Sequence, residues 1–322
     1  MNLYPLVLLL FSLAAAPPAL PQTRAPGPTP PQTGVSTPDT TQDSPVTTLK
    51  VGTKLVAVSA IVRDKAGQPV SGLTRDDFLL KQDGKPQPIR YFSQGSSLPL
   101  TLALMVDTSG SQSNYIQDEV NAGRVFFRSM MTQPADRAVL VQFDSSILQL
   151  ARITGSVTTL EHALAYLYQS HAGIGPPGRG GTLLYDAICA VSHIELGNQM
   201  GRRAMVILTD GGDNGSRFSQ KKAIEEAQRA DIMIYSVYYS DGGGDLDALK
   251  HLSSATGGQV FTVSSSMTLE QIYAAIADDL RLQYEIGYQP PGSRPNKYHK
   301  IDLKAKDDKL TVQAREGYFT PK

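Results

Sequence analysis

Five apolar segments constrain this chain more than any other feature. LPLTLALMVD (98–107), RAVLVQFD (137–144), RRAMVILTD (202–210), IMIYSVYY (232–239) and GQVFTV (258–263) run nearly unbroken in apolar residues. Between them lie stretches of helical periodicity at 114–131, 157–169, 183–196, 219–230, 245–255 and 268–281. A strand that is apolar on both sides must be covered on both sides. The pattern therefore predicts an α/β fold: a mostly parallel, doubly wound, Rossmann-like sheet with helices on each face. In such sheets ligands bind outside the carboxyl ends of the strands. Asp107 and Asp210 each close an apolar segment, so both are expected on that rim.

The flanks follow a different rhythm. KLVAVSAIVRD alternates apolar and polar residues with strand period, KAGQPV supplies a turn, and SGLTRDDF a short connection. DDFLLKQDGKPQPIRYF reads as a hairpin that turns at Asp83-Gly84. At the other end QYEIGYQP, HKIDLKAK and LTVQAREGYF alternate again, separated by Pro, Gly and Asp breaks. Each flank is too short to form a stable sheet alone. Residues 48–96 and 282–322 are therefore expected to pair into one small β-sandwich-like domain, with the α/β region, 97–281, inserted between them.

Composition limits the function classes. With 41% hydrophobic and 19% charged residues, this is an ordinary globular balance. Thirty Lys and Arg against thirty Asp and Glu give no overall charge, so neither nucleic acid nor an anionic membrane is expected as a partner. The single Cys189 excludes an intramolecular disulfide and a thiolate zinc cluster, and its apolar surroundings suit a packing role. At the start, LYPLVLLLFSLAAA is too short for a comfortable membrane span and leads into small residues and then prolines. Residues 1–21 thus read as a secretory signal peptide, with an uncleaved anchor as the alternative. Residues 22–47, rich in Pro, Thr and Gln and without apolar periodicity, read as a disordered linker. The chain is expected to be exported, to the periplasm, the cell envelope or the medium, with no membrane contact beyond the signal segment.

Three loops on the predicted rim carry the chemistry: Asp107-Thr-Ser109-Gly-Ser111, GRGGTLLYDA around Thr182, and Asp210 in ILTDGGDN. Any one of these residues alone reads as a helix cap, since Ser, Thr and Asp are favoured there. A serine nucleophile needs a base and a group to orient it. The elbow here is not G-x-S-x-G, and only His171 lies near the Gly-rich loop in sequence. Nor is GPPGRGGT (175–182) a phosphate-binding loop, because Gly181 stands where the Lys belongs and Arg179 is out of register for that position. A metal site uses all five residues. Two carboxylates and three hydroxyls form an oxygen-only donor set suited to Mg²⁺, Mn²⁺ or Ca²⁺. Gly110 would let the first loop wrap tightly, and Gly180-Gly181 would let Thr182 approach. With few carboxylates bound directly, the cation would stay electron-poor on its open side, where a carboxylate from another molecule is the natural ligand.

Asp107-x-Ser109-x-Ser111, then Thr182, then Asp210 resembles a von Willebrand factor A domain with an intact metal-ion-dependent adhesion site, over roughly 98–281. The flanks resemble those of bacterial VWFA-related proteins, best represented in acidobacteria. The resemblance implies that Asp107, Ser109, Ser111 and Thr182 sit in the inner or water-mediated shell of the cation, and that Asp210 acts mostly through water. It also implies an adhesion or interaction module, with Mg²⁺ as the first expectation, an acidic side chain of a partner protein as the ligand, and no catalysis. A scaffold role in an envelope assembly, with the cation only stabilising the loops, is the alternative, and a hydrolase is the third.

Several neighbours have weaker expectations. Asp213 reads as a turn-former, and Asp144 as a strand-end residue near the same rim, with contact to the site's water network the lesser reading. Arg179 and Arg217 read as solvated loop charges, and Tyr115 as a residue beside the recognition surface. The sequon Asn214-Gly-Ser216 reads as a chance match in a bacterial protein.

Overall fold

The computed structural model describes residues 55–95, 98–112, 115–169, 181–239, 243–292 and 294–321. The expected signal peptide and linker lie outside these residues, as do His171, Arg179 and Gly180. The first flank folds as β1 (Val56–Arg63), β2 (Phe78–Gln82), β3 (Lys85–Pro86) and β4 (Ile89–Gln94). β2 and β3 are joined at Asp83-Gly84, where φ is 50° and 78°. Two successive left-handed residues are what a tight hairpin turn of this hand needs, and the Asp-Gly pair provides them.

The middle of the chain supplies β5 (Leu100–Asp107), α1 (Ile116–Met130), β6 (Arg137–Phe143), β7 (Ile147–Thr154) and α2 (Val157–Gln169). Then come α3 (Leu184–Ala190, continued by a π-helical turn to Leu196), β8 (Arg202–Thr209) and α4 (Gln220–Arg229). β9 (Ile232–Tyr238), α5 (Leu246–Thr256), β10 (Val260–Thr262) and α6 (Leu269–Leu282) complete it. The second flank forms β11 (Tyr284–Tyr288), β12 (Tyr298–Ala305), β13 (Thr311–Ala314) and β14 (Gly317–Phe319).

The central sheet has the order β10-β9-β8-β5-β6-β7 and is parallel except for β7. β5 lies inside it and is buried at every position, which is why its sequence does not alternate. Its pleat divides the core. Leu102, Leu104 and Val106 pack with residues of α1, α2 and α6, whereas Ala103 and Met105 pack with residues of α3, α4 and α5. This is the doubly wound, mostly parallel α/β sheet expected from the apolar runs. β7 is a sixth strand that those runs do not announce. It is an antiparallel, half-exposed edge with two breaks of register against β6, so period-two alternation is lost in SILQLARIT.

Two four-stranded sheets flank this layer, β13-β1-β11-β4 and β14-β12-β2-β3. In each, strands from the first flank pair with strands from the second: Val58 opposes Ile286, and Leu80 opposes Leu303. Val58, Ala60 and Val62 of β1 share one core with Phe78, Leu80, Tyr284, Ile286, Ile301 and Leu303. Ile61, on the other face of the same strand, joins the α/β core instead. β4 leads into β5, α6 leads into β11, and β4 pairs with β11, so the inserted layer leaves and re-enters the flank on adjacent strands. Arg63 of β1 pairs with the buried Asp279 of α6 at 2.5 Å. Residues Gly52–Lys322 accordingly form one compact unit. Among the described residues, no helix is long and apolar enough to cross a membrane.

Candidate metal centre

Strands β5, β6 and β8 run parallel and end together, at Asp107, Phe143 and Thr209. Asp107 is fully buried. Its Oδ1 accepts the Ser109 amide at 2.9 Å, and its Oδ2 accepts the Thr209 hydroxyl at 2.6 Å. Burial pushes the Asp107 carboxyl up to about 6 despite these hydrogen bonds, and repulsion from Asp210 adds to the rise. The chain then turns through a short 3₁₀ segment, Gly110–Gln112. The Ser109 and Ser111 hydroxyl oxygens lie 3.2 Å apart, the first half-buried and the second exposed. The first loop thus presents oxygen atoms from the sheet edge outward to solvent. Gly110 corrects one expectation: its φ is not positive, and a Cβ there would meet nothing within 4 Å. The tight wrap does not depend on glycine.

Thr182 is buried just ahead of α3 and is held by the loop that follows β8. Its amide donates to Asn214 Oδ1 at 2.7 Å, and its carbonyl accepts the amides of Asn214 and Gly215 at 3.3 and 3.2 Å. The grip continues along the two loops. Asp213 Oδ1 accepts from the Tyr185 amide and the Ser216 hydroxyl, while Ser216 Oγ accepts from the Asp186 amide. Asp186 Oδ1 in turn accepts the amides of Arg217 and Phe218. The Leu183 amide donates to the Asp144 carbonyl at 2.9 Å, which ties the same segment to the end of β6.

Asp210 follows β8 directly, with its Oδ1 accepting the Gly212 amide at 2.9 Å. Its carbonyl accepts the Asp245 amide at 2.8 Å from the loop after β9. Gly244 makes that approach possible. Its φ is +87°, and a Cβ would collide with the Asp210 backbone. Gly244→Ala is expected to lower stability by about 2 kcal/mol, read as a lower urea midpoint with an unchanged slope.

The structure therefore brings Asp107, Ser109 and Ser111 into one loop and sets Asp210 at the end of an adjacent strand. Thr182 is joined to the Asp210 loop by hydrogen bonds. Among the described residues, no three His, Cys, Asp or Glu side chains converge as a metal-binding group; the rim offers carboxylates mixed with hydroxyls. Asp144 organises its own turn, with Oδ1 accepting from the Ser146 amide and hydroxyl. Arg217 is highly exposed, 3.6 Å from Asp186. Tyr115 is half-buried and lies against Tyr239, with ring centroids 4.7 Å apart. Beneath the rim, burial pushes the Glu119 carboxyl well above the usual range, with repulsion from Asp107 second. Sequence reasoning missed Thr209, whose hydroxyl holds Asp107, and Asn214, which it read only as part of a sequon. A Thr immediately before Asp210, on the strand beside β5, was the available signal for the first. Nothing local signals the second.

Residues 102–212 match the family model described as von Willebrand factor type A domain, and all five candidate residues fall in that span. No curated protein matches the chain. Among solved structures, proximal thread matrix protein 1 from the mussel byssus is 18% identical, with a TM-score of 0.50 over 62% of this chain and 51% of that one. A von Willebrand factor type A protein from Catenulispora acidiphila is 10% identical, with a TM-score of 0.48 over 83% and 74%. The manganese-loaded TRAP protein of Plasmodium vivax is 15% identical, with a TM-score of 0.45 over 70% and 96%. At these identities the likeness concerns the fold alone. The family match over residues 102–212 agrees with the doubly wound sheet, and this region carries a von Willebrand factor type A domain.

Proposed function

We propose that the chain is an exported protein-binding module. Asp107, Ser109, Ser111, Thr182 and Asp210 would hold a divalent cation, Mg²⁺ first and Mn²⁺ or Ca²⁺ as alternatives, through which an acidic side chain of a partner protein is engaged. One observation carries this reading. A buried carboxylate, Asp107, is destabilised as an anion by burial and by Asp210, and it stands at the base of a loop whose two hydroxyls lead to solvent. An uncompensated buried charge is costly unless a counter-charge meets it. The donors are all oxygen, which suits a hard cation. When bound, the cation would supply a positive centre whose solvent side a foreign carboxylate can complete.

The chain's own residues divide the task. Asp107 and Asp210 supply negative charge, Ser109, Ser111 and Thr182 supply neutral oxygens, and Thr209 orients Asp107 by donating to it. Export rests on the LYPLVLLLFSLAAA segment, which lies outside the described residues. A hydrolytic role has less support, since the Ser109 hydroxyl faces another hydroxyl rather than a base. The test is capture of a partner from envelope extract by the immobilised chain. Retention in Mg²⁺, release by EDTA and loss in Thr182→Ala are expected. Binding that survives both EDTA and Thr182→Ala would sink the metal-bridged reading and favour the scaffold role.

A further inference from the structure

Asn214 has no part in the five-residue motif, yet it makes the closest contact to Thr182 from the neighbouring loop. Its Oδ1 accepts the Thr182 amide at 2.7 Å, and its own amide, with that of Gly215, donates to the Thr182 carbonyl. Both peptide groups of Thr182 are thus fixed from 32 residues away in sequence. Thr182 lies outside α3, and Leu183, at the start of that helix, makes no side-chain cap. Asn214 itself is exposed, so it contributes little packing. Ser216, the other half of the sequon, is equally engaged, between Asp213 and Asp186.

We infer that Asn214 is a positioning residue for the cation site, setting the Thr182 peptide and with it the hydroxyl offered to the cation. The inference rests on the cation reading given above. It also makes the Thr182 and Asp210 loops one mechanical unit, because Asn214 is four residues beyond Asp210 in the same loop. An acceptor oxygen at position 214 is what the geometry demands. Aspartate provides one and alanine does not. Substitutions that disturb the partners of metal ligands typically weaken metal binding by about 10- to 100-fold.

The test is calorimetric titration of Mg²⁺ into the metal-free wild type, Asn214→Ala, Asn214→Asp and Thr182→Ala, with a thermal melt of each metal-free protein. Asn214→Ala is expected to bind about tenfold more weakly while melting with the wild type. Asn214→Asp is expected to restore affinity to near the wild-type level. Wild-type affinity in Asn214→Ala, alongside lost affinity in Thr182→Ala, would overturn the positioning role and leave the cation site standing. Equal weakness of the Ala and Asp variants would overturn it too. If Thr182→Ala and the wild type behave alike, the cation assignment itself fails, and this inference falls with it.

Discussion

Asp107→Asn melts higher than the wild type when both are metal-free at pH 7, and it loses the response to Mg²⁺. In the unfolded chain this carboxyl titrates near its ordinary value of 3.8, and in the folded protein burial lifts it to about 6. As pH rises, the unfolded state therefore gives up its proton first. Stability falls between about pH 4 and pH 6 and stays lowered above that window. A rise of that size corresponds to about 3 kcal/mol at the base of the rim. Asparagine keeps the Oδ1 acceptor for the Ser109 amide and removes the charge. For a chain of this size the gain is about 4 °C or more in melting temperature. Mg²⁺ is expected to raise the wild-type melt and leave the variant unmoved. Wild-type Mg²⁺ affinity should weaken as pH drops through 6, because proton and cation compete for one carboxylate. An Asn variant that melts several degrees lower would mean that the charge supports the metal-free fold.

Asp279→Ala has the second large effect, a loss of about 3 kcal/mol or more, in a single unfolding transition. Asp279 is almost wholly buried and Arg63 is mostly so. Burial outweighs the Arg63 guanidinium and leaves the Asp279 carboxyl up at about 6, so the intact pair is worth little. Removing one partner is another matter, because it strands the guanidinium of β1 against the apolar face of α6. Far-UV circular dichroism in urea reads the loss. Replacing both residues, Arg63→Met with Asp279→Leu, should recover most of it. The pair joins the flank to the last helix of the α/β layer, and the two cores share β1 through Val62 on one face and Ile61 on the other. Two separated transitions in Asp279→Ala would contradict this coupling of the layers.

The α/β class was legible because β5, β8 and β9 are buried on both faces over most of their length and so read as nearly continuous apolar runs. β7 was not, because an edge strand with one wet face and two register breaks keeps neither an apolar run nor a clean alternation. On the candidate site, sequence order was enough to put Asp107 and Asp210 at strand ends. It could not show what holds Thr182, since the Asn214 contact is tertiary and its residue type is common in turns. It also overrated Gly110, whose conformation any residue can adopt, and gave no particular weight to Gly244, where the close approach occurs. Glycine in a loop is visible in a sequence; which glycine has a backbone pressed against it is not.

The cation is the centre of this account, and calorimetric titration of Mg²⁺ into the chelator-stripped chain at pH 7 tests it most directly. The wild type is expected to show saturable binding at a single site. Asp107→Ala is expected to show none while keeping the wild-type circular dichroism spectrum. Undiminished Mg²⁺ affinity in Asp107→Ala, or no binding by the folded wild type, would contradict the account.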